Sequence, residues 1–204
     1  MPRHVGATSI VEIMPLPLPE DRPRLVVTLG DGSAAELSPL LPEDRDLLEE
    51  GMDELSVESR FARFGQGRGA LSPSELDYLT EIDQRKHVAW GAVVGDTPAG
   101  VGRYILDDEG CAEVAVTVVD KLQRQGLGRA LFSALVAVAR ADGVESICFE
   151  ALPENLAVQR MFRGLPLELD AAQGLVTGRV EMADLPISPR DAEFVALMER
   201  FRTG

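Results

Sequence analysis

Gln123-Arg124-Gln125-Gly126-Leu127-Gly128 joins a β-branched apolar run, Val114 to Val119, to a helix-like run from Gly128 to Ala141. A strand that ends in a glycine loop and feeds straight into a helix gathers backbone N–H groups at the positive end of the helix dipole, where a phosphate or pyrophosphate is stabilised. Glycine suits such a loop because a Cβ at Gly126 or Gly128 would hold the main chain away from an anion or forbid the dihedrals that aim its N–H groups. The spacing excludes two common phosphate binders. There is no G-x-x-x-x-G-K-[ST], and Lys121 precedes the glycines instead of following them. The residue three after Gly128 is Leu131, which breaks the dinucleotide pattern G-x-G-x-x-G.

Working outward, Cys111 to Val119 is bounded by Gly110 and Asp120 and reads as a central strand. Its alternation puts Glu113, Ala115 and Thr117 on one face and Val114, Val116 and Val118 on the other. Leu127, Leu131, Leu135 and Val138 recur at helical spacing, and Gly143 stands where a C-terminal cap is wanted. Ser146 to Leu152 is a further strand, and Pro153-Glu154-Asn155 opens a helix carrying Ala157, Met161 and Phe162. Leu167 to Ala183 predicts a closing strand pair that turns at Gln173-Gly174. From Ser188 a final amphipathic helix bears Phe194, Leu197, Met198 and Phe201, either as a lid on the core or as the contact of a homodimer. Toward the front, Leu25 to Leu37 reads as a hairpin around Gly30-Asp31-Gly32-Ser33, and Pro42 to Leu55 and Ser56 to Phe64 read as helices. Ser72 and Glu75 fit a capping box with Pro73 at the first helical position. Met14-Pro15-Leu16-Pro17-Leu18-Pro19 excludes regular helix and suits an extended arm.

The pattern Q-x-x-G-x-G after an apolar strand, within a β–loop–α–β–α order that places Asn155 after the second strand, resembles the core of the GNAT superfamily of N-acetyltransferases. The likeness covers roughly residues 36 to 184. It implies an α/β (α+β) fold with a mixed central sheet flanked by helices and splayed between its two central strands, and acetyl-CoA as co-substrate. By that resemblance Val118 and Val119 present main-chain groups to the pantetheine. Gln123, Arg124, Gln125, Gly126, Leu127, Gly128 and Arg129 then surround the pyrophosphate, and Asn155 contacts the pantetheine arm. The wording Leu55-Ser56-x-x-Ser59-Arg60-Phe61-x-Arg63-Phe64, then Leu71-Ser72-Pro73-x-Glu75-Leu76, then Gly100-Val101-Gly102-Arg103-Tyr104, resembles the acetyltransferase domain of bacterial Pat-type protein lysine acetyltransferases. The expected organisation is a proline-rich arm over 1–23, a GNAT domain with its N-terminal hairpin over 24–186, and a C-terminal helix over 187–204. That leaves no room for the regulatory nucleotide-binding or synthetase-like domains attached to some Pat proteins.

Composition narrows the partners. Twenty basic against 34 acidic residues give a net charge of −14, which opposes a nucleic-acid surface and favours cationic acceptors. No run approaches the ~18 apolar residues of a membrane span, and no charged-then-apolar leader begins the chain, so a cytoplasmic location is expected. Cys111 and Cys148 both fall inside predicted strands and read as buried thiols of a reducing compartment. With His4 and His87 they make no metal spacing, so no metal is expected.

Acyl transfer from a thioester to an amine needs a base, because an amine with a pKa of about 10.4 is mostly protonated at neutral pH. Glu113 is the leading candidate. A carboxylate within an apolar strand costs free energy unless it is solvated, paired or protonated, and GNAT enzymes commonly place a glutamate base on this strand. Against that stands a solvated Glu113 or one paired with Arg103, and Glu150 on the next strand competes for the role. Many superfamily members protonate the leaving thiolate with a tyrosine seven residues after the asparagine, and that position is Phe162. Tyr104 or water must substitute, or the thiolate leaves unaided. Leu165-Pro166-Leu167 and Gln125 are further departures from the family pattern. Trp90, Tyr104, Phe61 and Phe64 either line an acceptor cleft or belong to the core. Three functions fit: a protein lysine acetyltransferase, a small-amine or amino-acid acetyltransferase, and a non-catalytic acyl-CoA-binding module.

Overall fold

A computed structural model describes residues 22–64 and 70–203, with the side chains of Arg63 and Phe64 excluded. Most of the proline-rich arm, His4 and the Phe64 ring therefore lie outside the described residues. Strands β1 (Leu25–Thr28) and β2 (Ala34–Pro39) form the predicted hairpin. After a 3-10 turn at Pro42–Asp44 come α1 (Arg45–Asp53), α2 (Val57–Phe64) and α3 (Pro73–Thr80). Next are β3 (His87–Val94), β4 (Thr97–Leu106), β5 (Cys111–Val118), α4 (Leu127–Ala141) and β6 (Ser146–Ala151). The chain continues with α5 (Leu156–Met161), β7 (Glu168–Ala172), β8 (Leu175–Glu181) and α6 (Asp191–Thr203). The capping box is formed as expected, with Ser72 N donating to Glu75 Oε2 at 2.9 Å and Glu75 N donating to Ser72 Oγ at 3.3 Å.

The eight strands make one mixed sheet in the order β1-β2-β3-β4-β5-β6-β8-β7. Neighbours are antiparallel except β5 and β6, which run parallel around the α4 crossover. Helices α4 and α6 cover one face. Leu127, Leu131, Leu135 and Val138 of α4 are buried on it, as the 3.6-residue spacing requires. Gly100 on β4 admits this helix, because a Cβ there would stand 2.7 Å from Thr117 O and 3.3 Å from Leu131 Cδ1. On the opposite face lie α1 and α3, packed through the small cluster Met52, Leu55, Leu71 and Leu76.

Of the two readings of the last helix, α6 is the lid. Phe194, Leu197 and Met198 are buried, and the Phe194 ring meets Trp90 edge-on at 5.6 Å. Arg202 holds both oxygens of Asp142 at 2.8 and 2.7 Å, which ties the end of α6 to the end of α4. Trp90 and Tyr104 are fully buried on this side and belong to the core. Arg22, assigned by sequence to the arm, is buried too. Its guanidinium grips both oxygens of Asp44 and donates to Pro39 O.

Truncation of Phe194 leaves a void between α6 and Trp90 that the sheet cannot close. Phe194→Ala should cost about 3–5 kcal/mol, read as a lower denaturant midpoint; a midpoint within about 0.5 kcal/mol of wild type, the range of ordinary surface substitutions, would show α6 to be peripheral.

Candidate active site

Pairing between β5 and β6 lasts for only three registers, Cys111 with Ser146, Ala112 with Ile147 and Glu113 with Cys148. Beyond them β5 continues to Val118 and β6 to Ala151 unpaired with each other, so the sheet opens between its two central strands. Main-chain N–H groups on a strand alternate sides. Val119 N donates to Ala99 O of the preceding strand at 3.0 Å, so the N–H of Val118 points into the opening. Of the two valines named by sequence, Val118 is the one with a main-chain donor facing the gap.

At the end of β5 the loop delivers the N-terminus of α4. Gly126 is its N-cap at φ 95°, a left-handed conformation that side chains resist, and Arg124 also has positive φ. Gly128 is different: its φ is not positive, and a Cβ there would meet Val118, Met161 and Val116 at 3.6 to 3.9 Å, ordinary contact distance, so nothing inside the protein demands glycine at this position. No side chain caps α4, and its first turn carries no acid. The first intrahelical bond runs from Ala130 N to Gly126 O, which leaves the N–H groups of Leu127, Gly128 and Arg129 directed outward. Arg124 and Arg129 are exposed beside them. These groups fit a pyrophosphate.

Two neighbours hold this loop. Gly30 N of the first hairpin donates to Gln125 O at 2.9 Å. The start of α2 is docked by Asp120, whose carboxylate accepts from Ser56 N at 2.9 Å, Ser56 Oγ at 3.0 Å and Ser59 Oγ at 2.9 Å. Burial opposes the charge on Asp120, but the Ser56 and Ser59 hydrogen bonds hold its pKa below the ordinary carboxylate value. Gln123 Nε2 donates both to Ser59 Oγ at 3.2 Å and to Val118 O at 3.1 Å. Across the opening, Asn155 caps α5, accepting at Oδ1 from Ala157 N and Val158 N at 3.1 and 3.2 Å, which leaves its amide nitrogen as the donor.

Glu113 occupies the last paired position before the strands part, and it is exposed. The carboxylate is thus solvated, and among the described residues Arg103 makes no ion pair with it: Arg103 Nη1 donates to Leu79 O at 3.1 Å and lies 3.1 Å from His87 Nε2. The register carries the Glu113 row outward through Cys148 and Arg179 to Glu168, and the next row through Glu150 and Thr177 to Asp170. These residues line a cleft of about 360 Å³ with four carboxylates against one guanidinium. Sequence reasoning found Glu113 and Glu150 but not Glu168 and Asp170, which reach the cleft only through the β6–β8–β7 pairing. Every residue of β7 is exposed, so the outer wall of the cleft is open.

Tyr104 is removed as a stand-in acid. Its hydroxyl lies on the α4 and α6 side and donates to Asp142 Oδ2 at 3.3 Å; burial, then the neighbouring Asp142 charge, pushes the phenol well above its usual value. Phe162 is likewise buried, stacked on Phe149 at 4.3 Å and edge-on to Phe132 at 5.3 Å. The cysteines also differ from expectation. Because Cys111 pairs with Ser146, two residues before Cys148 on the neighbouring strand, the cysteines are diagonal neighbours on one face with Cα atoms 6.0 Å apart, and the structure joins the sulfurs in a disulfide at the closed end of the β5–β6 pair. One oxygen of Asp107 lies within 4.8 Å of both sulfurs, but the bond between them withdraws the thiolates a metal would need.

The sequence profile of the acetyltransferase (GNAT) family matches residues 51–165. This chain belongs to that family. It is 35% identical over 123 residues to acetyltransferase PA5475 of Pseudomonas aeruginosa, covering 58% of this chain and 66% of that protein. It is 28% identical over 179 residues to acetyltransferase Pat of Mycolicibacterium smegmatis, covering 83% of this chain and 52% of the relative. The chain thus spans between half and two thirds of these relatives. The GNAT domain of S. lividans PAT superposes with a TM-score of 0.73 at 27% identity, over 78% of this chain and 96% of that one. The mixed sheet and flanking helices are those of this GNAT structure. Among the described residues no helix is long and apolar enough to cross a membrane.

His87 supplies a pH signature. Burial and the Arg103 guanidinium lower its pKa from 6.5 to about 4, against the opposing pull of Asp83. Between these values the unfolded chain holds a proton that the folded protein releases, so stability rises with pH from about 4 to about 6.5 and is lost as pH falls through that window. Urea midpoints across the range should climb in wild type and climb less in His87→Gln; equal slopes would remove His87 as the source.

Proposed function

We propose that the protein moves an acetyl group from acetyl-CoA to a primary amine, the side chain of a protein lysine, by direct attack with Glu113 as base. The observation that carries this reading is the opening of β5 from β6 immediately after Glu113, with the uncapped N-terminus of α4 at the far end of β5. One end of the slot thus suits phosphates and the other holds a carboxylate. When bound, the donor supplies a thioester whose carbonyl carbon takes the amine nitrogen and whose C–S bond breaks.

Glu113 accepts the proton that the ammonium must lose. The Val118 N–H, which faces the gap, donates to the charge that builds on the carbonyl oxygen. Arg124, Arg129 and the first turn of α4 hold the phosphates, and the Asn155 amide steadies the arm between them. With Phe162 at the usual acid position, the thiolate leaves unaided or takes its proton from solvent, which a thiol of pKa about 8.5 allows. Glu150, Glu168 and Asp170 make the acceptor cleft anionic, which favours a cation. The open wall at β7 favours a lysine on a polypeptide over a small enclosed amine.

The test is CoA release against lysine-containing proteins and small amines. Glu113→Gln should lower turnover by about 10²–10⁴-fold with CoA binding kept, and Glu150→Gln by less. Gly126→Val should abolish CoA binding, because valine resists positive φ. Full turnover in Glu113→Gln would remove the base assignment, and CoA binding without consumption of any acceptor would leave only a binding module.

A further inference from the structure

On the same sheet face as Glu113, but on the other side of β5, α1 and α3 roof a void of about 80 Å³ that opens to solvent. Interiors are close-packed, and a void of this size is several times the ~10–15 Å³ that one water-sized group occupies, which gives room for a short chain of methylenes. Leu47, Leu48 and Met52 of α1, Leu79 of α3 and Val101 of β4 give it apolar walls. Thr117 and Val119, the two residues that flank Val118, belong to its lining. The void therefore borders β5 on either side of the residue whose N–H faces the β5–β6 gap.

Its charges exclude an amine. Asp44 is the one carboxylate in its lining, and both of its oxygens are taken by Arg22. Arg103 adds a second guanidinium. The anionic cleft lies across β5, so the two spaces divide the substrates by chemistry: a cation on the Glu113–Glu150 side and an apolar group on the α1 side. Resting on the donor and base reading above, we propose that this void is an acyl pocket and that the enzyme takes CoA thioesters of unbranched apolar acids longer than acetate, such as butyryl and hexanoyl. The chemistry is unchanged. The amide C–N bond forms, the thioester C–S bond breaks, and the proton lost by the amine to Glu113 is returned to solvent as the thiolate is protonated.

Calorimetric titration of the full chain with CoA, acetyl-CoA, butyryl-CoA and hexanoyl-CoA tests this without any acceptor. Each methylene that enters the void should tighten binding about fourfold, about 250-fold over the four methylenes from acetyl to hexanoyl. Leu48→Trp fills the void from α1 and should shrink the hexanoyl-to-acetyl affinity ratio; if that variant fails to fold, the wild-type series decides alone. Affinity that stays flat or falls with chain length, while acetyl-CoA binds, overturns the acyl pocket and leaves the donor reading in place. Binding of none of the four ligands overturns both.

Discussion

A parallel strand pair that is held for three residues and then released is the constraint on which the molecule depends. At Cys111 to Glu113 the sheet is continuous, and from Val114 onward β5 keeps β4 but loses β6. Unpaired main-chain groups inside a protein are costly unless something satisfies them. Part of the cost is met internally, since Gln123 reaches back to Val118 O. The rest of that edge faces the opening between the two central strands. Site and fold are thus one feature: the edge that would close the sheet is the edge that the candidate site is built on.

The segment whose wording resembles Pat proteins acquires a physical account. Ser56 and Ser59 supply the donors that Asp120, at the end of β5, accepts from; together they fasten α2 to the loop between β5 and α4. Arg60 Nε donates to Leu55 O and its Nη2 to Asp53 O, which satisfies carbonyls left at the end of α1. Gly100 and Gly102 let α4 approach β4, with Leu131 and Leu135 filling the space their side chains would have taken. Each is a local requirement of packing or hydrogen bonding around the cofactor slot.

What sequence revealed was whatever has a short period. The β5–loop–α4–β6 run was legible from alternation, 3.6-residue spacing and glycine, and the facing of Glu113 and Thr117 against Val114 and Val116 followed from it. Side chains brought together by register were not legible. Nothing in the spacing of Cys111 and Cys148 tells which residues oppose one another across a parallel pair. Glu168 and Asp170 look like ordinary polar residues of an edge hairpin until β8 carries them to Glu150. The hairpin of β3 and β4 went unread, and Trp90 and Tyr104 could be given to an acceptor cleft or to the core until α6 covered them. Arg22 was hidden by the prolines before it.

The disulfide has a mechanical side. With Cys111 joined to Cys148, a sequence separation of 37, the stretch holding β5, the glycine loop and α4 becomes a covalent ring. Tension applied at the two ends of the chain would pass through the sulfur bridge and bypass everything between. The glycine loop and the start of α4 would carry no load, while the outer hairpins and α6 were drawn away around them.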